Sequence, residues 1–256
     1  MTDLFSLDGR VGVVTGGGGR LGSRFAEGLV AAGAQVVLAG RQQERLDAVV
    51  EKLGKDRAAG VSTDVADAAS VAALFEEAEQ RFGGVDVVVN SAAIATDEPL
   101  GEVTAAGLER VLAVNVVGAV FCTQSAAPIM RRRGGGKIVN IGSIYGTVAP
   151  DSRLYEGTDM VRASPSYVAS KSALVNLTRD LAARLAPSNI QVNMLSPGGV
   201  DAGQPAPFRE RYVARTPAGR MTTPDDSTGT LVYLSSSASD YVTGQNIHVD
   251  GGFTVW

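Results

Sequence analysis

Between Val11 and Ala39 the chain reads as strand, glycine-rich loop, helix and strand, and few folds accommodate that order. Val11-Gly12-Val13-Val14 is a short apolar run of the buried-strand type. Thr15 to Gly22 follows as Thr-Gly-Gly-Gly-Gly-Arg-Leu-Gly. Residues 23–30 carry helical periodicity, and Val36-Val37-Leu38-Ala39 is a second buried run. Gly17, Gly19 and Gly22 satisfy G-x-G-x-x-G. Bare glycine backbone lets a pyrophosphate approach the amides at a helix N-terminus. The same glycines in a merely flexible turn would mean little. Placed after a strand and before a helix, they point to a dinucleotide-binding fold.

The rest of the chain continues the alternation. Apolar runs at 11–14, 36–39, 57–61, 86–89, 137–142, 190–195 and 246–249 are separated by helical patterns, notably 43–53, 68–82, 108–133 and 166–186. Strands alternating with helices predict an α/β, doubly wound parallel sheet with helices on both faces. No linker, repeat, low-complexity block or composition shift divides residues 1–256, so one dinucleotide-binding and catalytic domain is expected. At this length about 70–75% of the unfolded surface can be buried, ample for one core. Ligands of such sheets bind beyond the carboxyl ends of the strands, where Asn90, Ser143 and Pro197 fall.

Tyr167 and Lys171 lie four residues apart in Tyr-Val-Ala-Ser-Lys, which puts both on one helix face about a turn apart. Tyrosine alone is a poor acid–base group at neutral pH, because its unperturbed pKa is about 10. A nearby cation favours phenolate, so the pair can exchange a proton with a substrate oxygen. Alone, the same spacing suits a solvated helix face equally well.

Taken in order, these residues resemble the short-chain dehydrogenase/reductase family over nearly the whole chain. Thr15, Gly16, Gly19, Leu21 and Gly22 fall in a loop similar to the family's Thr-Gly-x-x-x-Gly-x-Gly, with Arg20 where the middle glycine would stand. Asp64-Val65 resembles the pair that meets the adenine. Asn90-Ser91-Ala92-Ala93 stands where the family has Asn-Asn-Ala-Gly, so Asn90 and Ala92 match. Asn115 resembles the family's helix asparagine, Ser143 its catalytic serine, and Pro197-Gly198 with Val200 its nicotinamide-side loop. The resemblance implies a seven-stranded sheet in the order 3-2-1-4-5-6-7. It implies that Tyr167 is the acid–base, that Lys171 lowers the tyrosine pKa and bonds the nicotinamide ribose, and that Asn115 holds a water leading from Lys171 to solvent. Ser143 would donate to the carbonyl or alkoxide oxygen, an oxyanion-type role. The hydride belongs to the cofactor.

Several chemistries are excluded by count. Cys122 is the only cysteine, which leaves no intrachain disulfide and no thiolate zinc site; no metal is expected. Cys122 lies in an apolar helical stretch and reads as a packing residue. His248 is the only histidine, and no G-x-S-x-G elbow is present for a serine hydrolase. Its place in a C-terminal strand suggests a structural or interface role. The net charge of −4 argues against a nucleic-acid partner. Arg131-Arg132-Arg133 before Gly134 reads as an ordinary helix ending. The sequence shows no N-terminal signal peptide and no membrane-length apolar run, so a cytoplasmic enzyme without a membrane partner is expected.

Cofactor preference is read from the end of the second strand. NAD sites place a carboxylate there for the ribose hydroxyl; this chain has Gly40-Arg41, and Arg20 adds a second cation. Arginine suits a 2′-phosphate, so NADP(H) is favoured over NAD(H). Two segments are expected on the substrate side, 144–166 and 201–216. The first carries Asp151, Arg153, Glu156, Asp159 and Arg162, which favours a hydroxylated or charged substrate; a subunit-contact loop is the alternative. The second has Asp201-Ala202 where the family has a threonine after Pro-Gly, and turns helical as a lid does. The expected reaction is hydride transfer between nicotinamide and a polar secondary alcohol or ketone, of sugar-acid or polyol type. A 3-oxoacyl-thioester reductase is the alternative within the class, and a non-catalytic nucleotide sensor the alternative outside it. Apolar Val111, Leu112, Val114, Val117 and Phe121, with Phe253, Val255 and Trp256, are more than one sheet needs; by resemblance they meet other subunits in a homotetramer or homodimer.

Overall fold

In the computed structural model, which describes residues 4–256, seven strands form one sheet in the order β3-β2-β1-β4-β5-β6-β7. They are β1 (Val11–Thr15), β2 (Gln35–Gly40), β3 (Ala58–Ser62), β4 (Val87–Asn90), β5 (Gly136–Ile141), β6 (Ile190–Pro197) and β7 (Asn246–Val249). Every pairing is parallel. The helices are α1 (Arg20–Ala31), α2 (Gln43–Leu53), α3 (Ala68–Phe82), α4 (Ala105–Leu112), α5 (Gly118–Arg132), α6 (Pro165–Leu185), α7 (Ala206–Arg215) and α8 (Thr228–Ser235). The order implied by resemblance is the order found.

The strands read as unbroken apolar runs because both sheet faces are covered. Successive side chains point to opposite faces. Val13, Val37, Val88 and Ile138 enter one apolar layer with Phe75 of α3, Met130 of α5 and Leu185 of α6. Their neighbours Val14, Val36, Val89 and Val139 enter the other, with Phe25 of α1, Leu46 of α2 and Leu231 of α8. Cys122 is fully buried in the first layer, which raises its thiol pKa to about 12 and fits the packing role expected of it.

Helix ends follow local chemistry. The Asp67 carboxylate accepts the Ala69 amide at 2.9 Å to open α3, and Gly83 closes it in the left-handed region at φ 82°. The arginine run ends α5 before Gly134, φ 87°. Arg132 pairs with Glu79 at 2.6 Å, and Arg133 with the buried Asp86 at 2.9 Å. Asp86 also accepts the Val11 amide at 2.9 Å, fastening the amino ends of β1 and β4, opposite the ligand side.

Two readings change. The helix expected at 108–133 spans Ala105–Arg132 and is broken by a π turn at Ala113–Val117. That stretch is also long and apolar enough by length and composition to cross a membrane, with mean hydropathy 1.6 over its best window. The expectation of no membrane-length apolar run is corrected accordingly. Of that window 28% is buried within the chain, its inner face packing against α3 and the sheet.

Candidate active site

The reactive groups come from two elements that approach unusually closely. β5 delivers Ser143 through Gly142, where a Cβ would stand 2.1 Å from the Met194 methyl carbon. The turn Ile144–Gly146 then passes against α6; a Cβ on Gly146 would lie 2.8 Å from the Lys171 carbonyl oxygen. Helix α6 begins where Ser164 accepts the Tyr167 amide at 3.3 Å and Pro165 takes the first helical position. This start fixes Tyr167 in the first turn and Lys171 one turn deeper. Ser143 lies near enough to the Tyr167 phenol to act on its titration. The Lys171 Nζ lies 5.7 Å from the Tyr167 ring centre and donates to the Ile141 carbonyl at 2.8 Å.

Burial governs the electrostatics. It pushes the Tyr167 pKa up, and the neighbouring Ser143 hydroxyl opposes that shift. Lys171 is 3% exposed, and desolvation lowers its pKa to about 8. The expectation that Lys171 sets the tyrosine pKa is therefore modified. Here the group that opposes the tyrosine shift is Ser143, and Lys171 is itself shifted down by burial.

Asn115 sits inside the π turn. Such turns disturb the helical hydrogen-bond ladder and recur at functional sites. Its amide group donates to the Ile94 carbonyl at 2.9 Å and to Ser170 Oγ at 3.0 Å, and accepts the Ile94 amide at 2.8 Å. The side chain thus ties the loop after β4 to α6. A water relay from Asn115 remains a proposal, carried by the broken ladder rather than by the side chain.

Beyond the strand ends a cleft of about 570 Å³ opens along β1, β2 and β4. Of the residues expected at the cofactor, Gly16, Gly19, Arg20, Leu21 and Gly22 line one wall. Arg41, Asp64, Val65, Ala92 and Val200 line the remainder. A Cβ on Gly22 would lie 2.1 Å from the Gly16 carbonyl oxygen, so the loop closes this tightly only on glycine. A Cβ on Gly19 would meet that same oxygen at 3.1 Å and nothing else within 4 Å, leaving open space at the N-terminus of α1. Loop, helix start and cleft together fit a dinucleotide.

The other expected cofactor residues lie outside the cleft wall. The Thr15 hydroxyl is buried and accepts the Ser91 and Ala92 amides at 3.1 Å each, holding β1 to the turn after β4. Asn90 donates to Asn140 at 2.9 Å, and Asn140 donates to Thr178 at 2.9 Å, a buried polar ladder between β4, β5 and α6. Pro197 and Gly198 are buried, with the Gly198 amide bonded to Val249 of β7. Sequence reasoning missed Arg45, which lines the cleft one helical turn beyond Arg41. On α2 an arginine reads as part of a solvated face; its spacing from Arg41 was the available signal.

The two substrate-side segments are knitted to each other. Residues 152–155 form a turn that packs on α7, with the Tyr155 and Phe208 ring centres 5.2 Å apart. Asp151 pairs with Arg153 at 2.7 Å and with Arg215 of α7 at 2.6 Å, and these guanidiniums hold its pKa down near 2. Arg211 donates to the Glu156 carbonyl. Asp151 and Arg153, expected to greet a substrate, are therefore taken up by each other and by α7. His248 contacts Thr147 at 3.0 Å through Nε2, consistent with a structural role.

Known proteins resemble this chain along its length. A family described as enoyl-(acyl carrier protein) reductase matches residues 19–254. Galactitol 2-dehydrogenase (L-tagatose-forming) of Cereibacter sphaeroides is 37% identical, covering 99% of this chain and 98% of that protein. Cis-4-hydroxycyclohexanecarboxylate dehydrogenase of Sinomonas cyclohexanicum is 38% identical, with 96% of each covered. A solved gluconate 5-dehydrogenase from Burkholderia cenocepacia, in complex with NADP and tartrate, superposes with a TM-score of 0.90 at 34% identity, covering 99% and 98% of the two chains.

Proposed function

The chain belongs to the short-chain dehydrogenase/reductase family and is an oxidoreductase of CH–OH groups, and we propose that it uses NADP(H) to interconvert a polyhydroxylated secondary alcohol and its ketone. The observation that carries this reading is the convergence of Ser143, Tyr167 and Lys171 at the strand ends beside the glycine-lined cleft.

In reduction Tyr167 gives its phenol proton to the carbonyl oxygen as the C–H bond forms; in oxidation its phenolate takes the hydroxyl proton as the C–H bond breaks. Ser143 donates a hydrogen bond to the same oxygen, where negative charge develops. Lys171 holds a proton beneath the phenol and, with a pKa of about 8, exchanges it readily near neutral pH. When bound, NADP(H) supplies or removes the hydride. Gly16, Gly19 and Gly22 would hold its pyrophosphate, with Asp64 and Val65 at the adenine. Support for the phosphorylated cofactor comes from Arg41 and Arg45, which line the cleft and have no ion-pair partner among the described residues, and from the absence of a carboxylate at the end of β2.

Relatives that act on galactitol and gluconate support a polyol or sugar acid as substrate class. Reduction of a 3-oxoacyl thioester is the second reading, favoured by the description of the matched family. Screening polyols, sugar acids, cyclic alcohols and a 3-oxoacyl thioester by absorbance of reduced nicotinamide, with each cofactor, decides between them. Turnover of polyols with NADP supports the proposal. Turnover of the thioester alone refutes it.

A further inference from the structure

The turn after Ser143 places a second phenol beside the first. Tyr145 lies two residues past Ser143, and its backbone amide donates to the Ser143 hydroxyl at 3.1 Å. Its own hydroxyl meets that of Tyr155, from the insertion, at 3.0 Å. The rings rest on an aromatic and aliphatic cluster that includes Ile144, Leu154, Phe208, Tyr212 and Phe253. Tyr155 packs on Phe208, Phe208 stacks on Tyr212 at 5.9 Å, and the Tyr212 hydroxyl accepts the Gly199 amide on the nicotinamide-side loop. The pair is thus held rigidly from behind.

Hydrogen-bond counting gives the pair a chemical meaning. Two phenols bring two O–H donors and the matching lone pairs. Their mutual bond uses one proton, whichever hydroxyl donates. Neither hydroxyl has another partner among the described residues. One O–H donor and several lone pairs therefore stay open in a half-buried position, where an unmade hydrogen bond is costly. Burial raises the Tyr145 pKa, and the nearby phenols of Tyr155, Tyr212 and Tyr167 raise it further, so the group stays a neutral donor and acceptor. Neutral phenols in the turn that carries Ser143 suit a hydroxyl, which both gives and takes a hydrogen bond. The insertion's carboxylate at Asp151 is meanwhile occupied by Arg153 and Arg215.

We propose that Tyr145, oriented by Tyr155, binds the substrate hydroxyl on the carbon next to the reacting one, making the enzyme selective for vicinal diols within polyols. This rests on the polyol reading above and sharpens it: the recognised group is a neutral hydroxyl neighbour. Tyr145 touches substrate, and Tyr155 is a positioning residue that acts through it.

The test compares galactitol and D-threitol with cyclohexanol, which lacks the neighbouring hydroxyl, in wild type, Tyr145→Phe, Tyr155→Phe and the double variant. The readout is the ratio of kcat/KM for polyol to kcat/KM for cyclohexanol. In Tyr145→Phe this ratio should fall about tenfold, the usual scale for one lost neutral hydrogen bond. In Tyr155→Phe it should fall less, about threefold, and the double variant should match Tyr145→Phe alone. A structural role would lower both substrates together and lower the melting temperature, leaving the ratio unmoved; that result overturns the inference and spares the polyol reading. Wild type that oxidises cyclohexanol but neither polyol overturns the polyol reading, and the inference with it.

Discussion

Lys171 is nearly fully buried, and its ammonium donates to a backbone carbonyl rather than to a carboxylate. A pKa of about 8 against an ordinary 10.5 corresponds to about 3 kcal/mol of unfavourable burial at neutral pH. Between pH 8 and 10.5 the unfolded chain binds the proton that the folded chain has lost, so this residue's contribution to stability rises with pH across that window. Below pH 8 both states are protonated and the cost stands in full. Lys171→Met removes the charge and keeps most of the volume. Its melting temperature relative to wild type should therefore be higher at pH 7 than at pH 10, while turnover is lost at both; a difference that is flat or reversed with pH contradicts the assignment. Tyr167→Phe removes one hydroxyl, and turnover should fall by about 10²–10⁴ with cofactor binding preserved. More than about a tenth of wild-type turnover in that variant would exclude Tyr167 as the proton group. At the far end of the cleft, Arg41→Ala should weaken NADP(H) by about one to two powers of ten and leave NADH nearly unchanged, because charge-assisted bonds to a phosphate are worth about 1.5–3 kcal/mol each. Arg45→Ala should act in the same sense. Equal losses for both cofactors on titration would assign these arginines to loop support instead.

Elements place these groups by close approach. Gly146 lets the turn after β5 lie against the α6 backbone, bringing the turn that carries Ser143 against the helix that carries Tyr167 and Lys171. Gly146→Ala should push the two apart, lowering kcat by more than tenfold and stability by about 1–3 kcal/mol, read by kinetics and thermal unfolding. Unchanged kcat would show that the turn can shift without moving Ser143. The sequence made the elements plain, because buried parallel strands are short unbroken apolar runs, as in Val36-Val37-Leu38-Ala39. Tyr167 and Lys171 were legible because their spacing fixes a shared helix face, and Ser143 through the family resemblance. The Tyr145–Tyr155 pair was not, because it lies in irregular chain where no periodicity relates residues ten apart. The charges around Asp151 misled for a related reason: composition shows that charge is present, and only the fold shows that Arg215 answers it.

At the scale of the molecule, apolar surface remains that one chain does not cover. Of the residues expected at subunit contacts, Val111 and Phe253 are instead buried within the chain, while Val117, Val255 and Trp256 are exposed and the long helical stretch through the π turn is mostly unburied. Large exposed apolar area marks contact surfaces, and a two-fold symmetric assembly of identical chains buries such faces pairwise. Light scattering at micromolar concentration should give a mass near two or four times 26.4 kDa. A mass of one chain would refute assembly through these faces.

The place of β7 sets an order in time. Its carbonyl at Val249 holds the Gly198 amide, Gln245 holds Met194, and Gly251 holds Ala218. The end of β6 and the chain that follows it at the catalytic end are thus anchored by residues in and around the last strand, far later in the chain. A ribosome-bound nascent chain that has already made Ser143, Tyr167 and Lys171 still lacks the strand that holds this loop. Parallel pairing between segments so distant has high contact order and is slow to form. The loop after β6 therefore gains these anchors only when the last strand has docked.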